Sequence, residues 1–195
     1  MAKERLGSPR ARLFVALELP GEFVEGLSAW GREAFGEVRA LRLLRPESLH
    51  VTLVFLGYQA ERDIDRIAEV ALGAGAGAGA GGFGLVPEGV VPVPRSRPRL
   101  FALDLEDVGG ALGEWQAGLS ERLEAARFYE PEKRPFWAHV TLARVKRGEK
   151  AGRGLEVPDL PEALREPFRA GRVTLFRSTL RRSGAVYEPL ASVEA

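Results

Sequence analysis

The tetrapeptide His-Val-Thr-Leu occurs twice, at 50–53 inside HVTLVFLG (50–57) and at 139–142 inside HVTLAR (139–144), and it contains both of the chain's histidines. The residues after each histidine are β-branched or apolar, which is strand composition. Side chains alternate faces along a strand, so positions i and i+2 point the same way. Alternation predicts His50 and Thr52 on one face, with Val51, Leu53 and Phe55 on the other. His139 and Thr141 likewise share a face opposite Val140 and Leu142. A third Val-Thr-Leu, at 173–175, has no histidine. Strand propensity therefore accounts for the tripeptide but not for a histidine ahead of two of its three copies.

Around these two strands the chain reads as an alternation of strands and helices. Residues 11–19 form a buried strand ended by Pro20-Gly21. Phe23, Leu27, Trp30, Ala34 and Val38 then recur at helical spacing with one core face. The strand at 49–56 is stopped by Gly57, and Ile64, Ile67, Ala68 and Ala71 mark a helix over 61–72. The tract GAGAGAGAGG (73–82) cannot supply a core face and reads as a loop. Short strands at 83–86 and 90–93, and one at 99–105, precede a helix over 108–128 carried by Leu112, Trp115, Leu119 and Leu123. A strand over 136–145 leads to a polar loop reaching about 161. Strands at 171–178 and 185–191 are joined by a turn near Ser183-Gly184. One half of the chain resembles a variation on the other, and the apolar strand faces are expected to pack beneath the helices.

Composition narrows the function classes. With 195 residues, 45% apolar, the chain is long enough for one domain with its own core. Its 28 Lys+Arg against 27 Asp+Glu leave a net charge of +1, which excludes a polycationic arm that binds nucleic acid by bulk charge. Arg outnumbers Lys 24 to 4, and Arg95, Arg97 and Arg99 form a basic run that either tracks an RNA backbone or is a solvated loop. There is no cysteine, hence no disulfide, thiolate metal site or cysteine nucleophile. The apolar run at 13–19 is broken by Glu18 and followed by no small-residue cleavage site, so no signal peptide is expected. No stretch approaches the ~18 apolar residues of a membrane span. A cytoplasmic monomer is expected.

The repeat suggests a chemistry. If the two units are related by a pseudo-twofold axis, two imidazole–hydroxyl pairs face each other across a groove. One imidazole then takes a proton from a nucleophile while the other gives one to a leaving group, and at a pKa near ~6.5 both forms are accessible at neutral pH. The threonine hydroxyls can donate to an oxygen that gains charge in the transition state. Two histidines without cysteine or an evident carboxylate fall short of a metal site, and no G-x-S-x-G elbow supports a serine hydrolase.

HVTLVFLG (50–57) and HVTLAR (139–144) resemble the two H-x-T-x motifs of the two-histidine phosphoesterase superfamily, in particular its RNA 2′,3′-cyclic phosphodiesterases, also called 2′-5′ RNA ligases. RLFVALELP (12–20), LLRPESLHVTLVFLG (43–57), RPFWAHVTLAR (134–144) and VTLFRSTLRRSGAVYEPL (173–190) extend the likeness over nearly the whole chain. Ala138 departs from the pattern, standing where proline commonly precedes the second histidine. The resemblance implies an α+β fold of two pseudo-symmetric lobes, each an antiparallel sheet backed by helices, with the active-site cleft between them in a single bilobal domain. It implies hydrolysis of RNA or tRNA-fragment ends carrying a 2′,3′-cyclic phosphate to 2′-phosphates, with no metal or other cofactor. On the matching positions His50 would be the proton donor, His139 the proton acceptor, and Thr52 and Thr141 the holders of the phosphate oxygens. Arg144 belongs to the second motif, yet strict alternation puts it opposite His139; it either reaches round to phosphate or pairs with an acidic neighbour. Phe14 and Tyr187 are candidate platforms for an unpaired base. Alternatives are the reverse reaction, joining tRNA halves through a 2′-5′ linkage, and a non-catalytic module that binds RNA ends.

Overall fold

The computed structural model describes residues 9–73, 81–151, 155–181 and 184–195. Its elements run β1 (Arg10–Glu18), α1 (Gly21–Phe35), β2 (Leu41–Leu43), β3 (His50–Ala60), α2 (Ile64–Leu72), β4 (Phe83–Val93), β5 (Leu100–Asp107), α3 (Ala111–Ala125), β6 (His139–Val145), β7 (Phe168–Ala170), β8 (Arg172–Arg181) and β9 (Gly184–Glu194). The fold class is α+β. The strands form one antiparallel order, β7-β4-β5-β6-β3-β1-β8-β9, with β2 added beside β6. At the middle of that order β3 and β6 share a single register pair, Val51 with Val140. Everything else in the sheet belongs to one half or the other.

One face of the sheet is covered by helices. The first contributes Phe23, Leu27, Trp30 and Phe35 to the core, and Phe35 packs on Phe101 of β5 with ring centroids 5.3 Å apart. The second helix buries Ile67, Ala71 and Leu72, and the third Leu112, Leu119 and Leu123. Val51 and Val140 lie fully buried beneath them. The start of α3 is set by Asp107, whose Oδ1 accepts from the Leu112 amide at 3.1 Å and Oδ2 from the Gly113 amide at 2.7 Å. These are amides that the helix itself leaves unpaired. Gly109 and Gly110, at φ 77° and 75°, turn the chain into that position, a conformation open chiefly to glycine.

Several boundaries differ from the sequence reading. Gly57 does not stop β3; at φ 66° it carries the strand on to Ala60. The two short strands expected at 83–86 and 90–93 are one strand, β4, because Glu88 is accommodated as an irregularity between Pro87 and Gly89 while both ends stay paired with β5. The first helix ends at Phe35 rather than Val38, and the third is shorter than 108–128 because a 3-10 turn occupies 108–110. The strand expected from 136 begins at His139. Two short strands, β2 and β7, give no periodic signal in three residues each. Most of the Gly/Ala tract (74–80) and Ser183 of the predicted turn lie outside the described residues.

Irregularities in β3 and β6 decide which side chains share a face with the histidines. Against β1, Thr52 pairs with Ala16 and Val54 with Val15, so Leu53 is an extra residue. Against β5, Thr141 pairs with Ala102 and Ala143 with Phe101, so Leu142 is an extra residue. Leu53 and Leu142 hold the same place in the two His-Val-Thr-Leu units. Each bulge inserts one residue and inverts the alternation beyond it. Val54 and Ala143 therefore turn inward, 2% and 0% exposed, while Phe55 is 39% exposed and Arg144 also emerges. Phe55 lies on the histidine face, not on the Val51 face that alternation predicts.

A bulge leaves its carbonyl without a ladder partner, and a buried carbonyl must find one elsewhere. Leu53 C=O accepts from Gln116 Nε2 of α3 at 3.2 Å, and Leu142 C=O accepts from the Leu44 amide at 2.8 Å. A second bulge in β3, at Leu56, has its carbonyl served by Gln59 Nε2 at 2.7 Å. Replacing Gln116→Leu keeps the bulk but removes the donor, so Leu53 C=O is left unsatisfied. The expected loss is about 1–3 kcal/mol, read as a fall of several degrees in the thermal midpoint. An unchanged midpoint would show that the bulge does not depend on α3.

Candidate active site

Extending the Val51–Val140 pair by one residue in each direction sets His50 opposite Thr141 and Thr52 opposite His139. The two units are thus related by a local twofold through the valine pair, and their polar faces converge on the side of the sheet away from the core. A cavity of about 110 Å³ lies there, lined by His50, Thr52, His139, Thr141, Arg144, Phe14 and Tyr187, together with Arg12, Ser48, Leu44 and Phe55. That is several times the ~30 Å³ share of one liquid water. Every site residue predicted from the sequence lines this single cavity. Arg144 reaches it through the Leu142 bulge, which resolves the conflict with strict alternation. The third Val-Thr-Leu is spent differently: Thr174 is buried and donates to Glu18, while Arg172, in the histidine's place, pairs with Glu18 and Glu194.

Each imidazole has the backbone two residues upstream as a neighbour that favours its protonated form. His139 Nδ1 lies 2.8 Å from Trp137 C=O. A carbonyl only accepts, so Nδ1 carries the proton, and in the neutral ring Nε2 keeps its lone pair. The Ser48 backbone, at the same offset before His50, likewise favours a proton on that ring. Aromatic rings fix the planes. Phe14 stacks on His50 at 4.9 Å with 28° between planes, and Tyr187 meets it edge-on at 5.3 Å. Trp137 stacks on His139 at 4.1 Å and 15°, and its Nε1–H donates to Asp104 Oδ1 at 2.6 Å. Asp104 is the register partner of His139 on β5. With His50 on one side of it and Phe176 at 5.2 Å, Phe14 is only 3% exposed. It is a wall for the imidazole rather than an open platform for a base.

Burial pushes both histidines below their ordinary range. His50 falls to about 4, first through loss of hydration and then through the proximity of His139, with the Ser48 carbonyl pulling the other way and Arg144 adding the smallest push downward. His139 is also lowered by burial, with the Trp137 carbonyl and the Asp104 carboxylate pulling the other way and Arg144 adding to the fall. Burial thus favours the neutral form of both rings, and their mutual repulsion opposes two imidazolium charges side by side. The arrangement suits an anion, whose charge would restore a proton to one ring.

Sequence reasoning missed the residues that hold the histidines. Trp137 and Ser48 sit at i−2 of each histidine, a shared offset visible once the repeat is aligned. Asp104 and Arg12 come from other strands, and nothing local marks them. Arg12 donates to Ser178 Oγ at 2.8 Å and lies over the Phe55 ring at 4.4 Å. Among the described residues no group of three His, Cys, Asp or Glu side chains gathers as a metal site.

Two His-Val-Thr-Leu strands meeting at one residue pair in an antiparallel α+β sheet, polar faces converging on a small basic cavity, is the arrangement of a two-histidine phosphoesterase. Comparison with known proteins narrows this class. A family model described as LigT like Phosphoesterase matches residues 103–187. An RNA 2′,3′-cyclic phosphodiesterase of Archaeoglobus fulgidus is 30% identical over 187 residues, covering 94% of this chain and 99% of that protein. One of Aeropyrum pernix is 30% identical over 165 residues, 80% of this chain and 86% of that protein. Among solved structures, a Thermus thermophilus protein superposes with a TM-score of 0.75 at 26% identity, over 94% of this chain and 97% of that one. Escherichia coli LigT in apo form gives 0.72 at 25% identity, over 96% and 98%. The chain belongs to the LigT-like phosphoesterase family. No helix among the described residues is long and apolar enough to cross a membrane.

Proposed function

We propose that the protein hydrolyses RNA 2′,3′-cyclic phosphate ends to 2′-phosphates, using His139 as general base and His50 as general acid, without a metal. The observation that carries this reading is the convergence of both histidines and both threonines on one cavity through the Val51–Val140 pair. His139 Nε2 takes a proton from water as the water oxygen bonds to phosphorus. The P–O3′ bond breaks, and the departing 3′ oxygen takes its proton from His50. The product is a 2′-phosphate beside a 3′-hydroxyl, and the two imidazoles end with their protonation exchanged, to be reset through solvent. Thr52 and Thr141 donate to the non-bridging oxygens, and Arg144 offsets the charge that grows on them. Phe14 and Trp137 act as positioning residues for the two rings. The names of the Archaeoglobus and Aeropyrum relatives support the substrate class.

The deciding experiment gives the purified protein a 2′,3′-cyclic nucleotide with a chelator present and identifies the product by chromatography. Conversion to the 2′-phosphate at an undiminished rate is the expected result. Activity that vanishes on chelation would point instead to metal-assisted chemistry, and tight binding of the cyclic end without product would leave only a binding module.

A further inference from the structure

The reaction cavity is smaller than a nucleotide needs. At about 110 Å³ it takes a phosphoryl group, whereas pockets that enclose a drug-sized molecule run to roughly 300–1,000 Å³. The base of a bound nucleotide, and any chain before it, must therefore lie outside, over the residues that border the rim. Two rim residues, Arg12 and Phe55, also belong to the open sheet surface beyond it. Arg95, Arg97 and Arg99 border a separate cavity that shares none of the rim residues, so that run does not extend the reaction cavity.

The surface beyond the rim is aromatic and basic. On β3, alternation alone would set Phe55 and Tyr58, three residues apart, on opposite faces. The bulge at Leu56 inverts the alternation between them, so both stand on the histidine face. Phe55 pairs with Phe14 and Tyr58 with Arg12, which sets the two rings two β1 positions apart, roughly 7 Å. Across β1, Phe14 pairs with Phe176, so Ser178 and Leu180 share this face as well. Among the described residues four large apolar side chains are exposed, and three of them are here: Phe55, Leu180 and Tyr58, the last at 56%. Arg12 lies over the Phe55 ring and donates to Ser178 Oγ, while Arg10 donates to the Tyr58 carbonyl. Among the described residues neither arginine has a carboxylate within ion-pair distance. Two guanidinium charges are thus held beside two exposed rings without a counter-charge.

We infer that this surface is a stacking platform for single-stranded RNA, with the terminal base against Phe55 and Arg12 and the preceding base on Tyr58. The inference rests on the proposed action at cyclic RNA ends, and chemistry sets its direction. A 2′,3′-cyclic phosphate closes the 3′ end, so every other nucleotide lies on the 5′ side and continues over the surface at the rim. Unpaired bases stack on aromatic rings and guanidinium planes, and the same guanidinium groups pair with the phosphate between two bases. A ring spacing of roughly 7 Å is about twice the ~3.4 Å between stacked bases. The two bases must part to occupy both rings, which an unpaired end allows and a duplex does not.

Two measurements on the full chain test it. One is kcat/KM for a 2′,3′-cyclic mononucleotide, for the dinucleotide and trinucleotide with the same end, and for a dinucleotide whose 5′ residue is abasic. The other is fluorescence-anisotropy binding of the matching oligomers ending in a 2′-phosphate, which reads the platform whether or not turnover occurs. Adding the second base should raise affinity and kcat/KM by roughly five- to a hundredfold, the usual worth of one stacked base, and the abasic dinucleotide should gain far less. Tyr58→Ala should bring the dinucleotide-to-mononucleotide ratio close to one, and Tyr58→Phe should keep it high, a contrast that a general loss of stability would not produce. No gain from the second base in the unaltered protein, an equal gain without the base, or a gain that survives Tyr58→Ala overturns the inference. Mononucleotide turnover in those cases leaves the hydrolysis standing. A length gain in binding without turnover supports the platform and counts against the hydrolysis. Self-association that Tyr58→Ala abolishes, with no length gain, gives the surface to a second copy of the chain and likewise overturns the inference.

Discussion

His50→Ala and His139→Ala are each expected to lower kcat on a 2′,3′-cyclic phosphate by about 10²–10⁴, and the double variant by much less than the product. The two rings serve one transition state, so removing either leaves the other with little to do. Their roles can be separated by the leaving group. A substrate whose bridging 3′ oxygen is replaced by sulfur expels a thiolate, which needs no proton. Such a substrate should restore much of the rate to His50→Ala and none to His139→Ala. Restoration in the opposite variant would exchange the roles. That outcome is physically accessible, because His50 is pushed down to about 4 by its surroundings in the protein while Asp104 and the Trp137 carbonyl both favour a proton on His139. The donor role of His50 therefore requires the substrate's own negative charge to draw the proton across. Thr52→Val and Thr141→Val should spare both proton transfers and act only on stabilisation of the phosphate oxygens.

Stability should fall on acidification more steeply than surface carboxylates alone would produce. In the unfolded chain His50 titrates near 6.5, and in the fold near 4. Between those values the unfolded chain binds more protons, so folding weakens as pH drops through that window. The contribution is present in full above about 6.5 and largely gone by 4. One pKa unit corresponds to about 1.4 kcal/mol, so His50 alone accounts for about 3 kcal/mol; His139 is lowered too and adds in the same direction. Denaturant unfolding of the wild type and of His50→Gln at pH 7 and pH 4 measures it, and the variant should lose about 3 kcal/mol less. Equal acid loss in both would mean that His50 is not buried as described. Phosphate should reverse the trend by binding more tightly as pH falls, since an anion favours imidazolium. For the same reason kcat/KM, which reports the empty protein, should peak at lower pH than kcat.

Much of the architecture was legible in the residues. The runs 11–19, 49–56 and 99–105 contain the strands β1, β3 and β5 to within a few positions, because β-branched and apolar clusters bury as strands whatever surrounds them. The histidine–threonine pairing followed from alternation alone, since His50 and Thr52, like His139 and Thr141, are only two residues apart. Alternation failed a few residues further along each strand, at Phe55 and Arg144. A bulge is an extra residue relative to a partner strand, so it has no local signature; β1 and β5 define it, not β3 and β6. The same holds for Phe14, brought from β1 to stack on His50, and for Asp104, set opposite His139 by register.

From its sequence alone this chain is a succession of strands and helices with two like strands, each offering an imidazole and a hydroxyl on one face. Spacing along the backbone determines that much, because it depends on a period of two residues. Tertiary structure alone decided that the strands meet at Val51 and Val140, that Arg144 turns toward the histidines, and that Asp104 stands opposite His139. Those facts depend on which strand lies beside which and in what register, and that is set by burying the whole core at once rather than by any one segment.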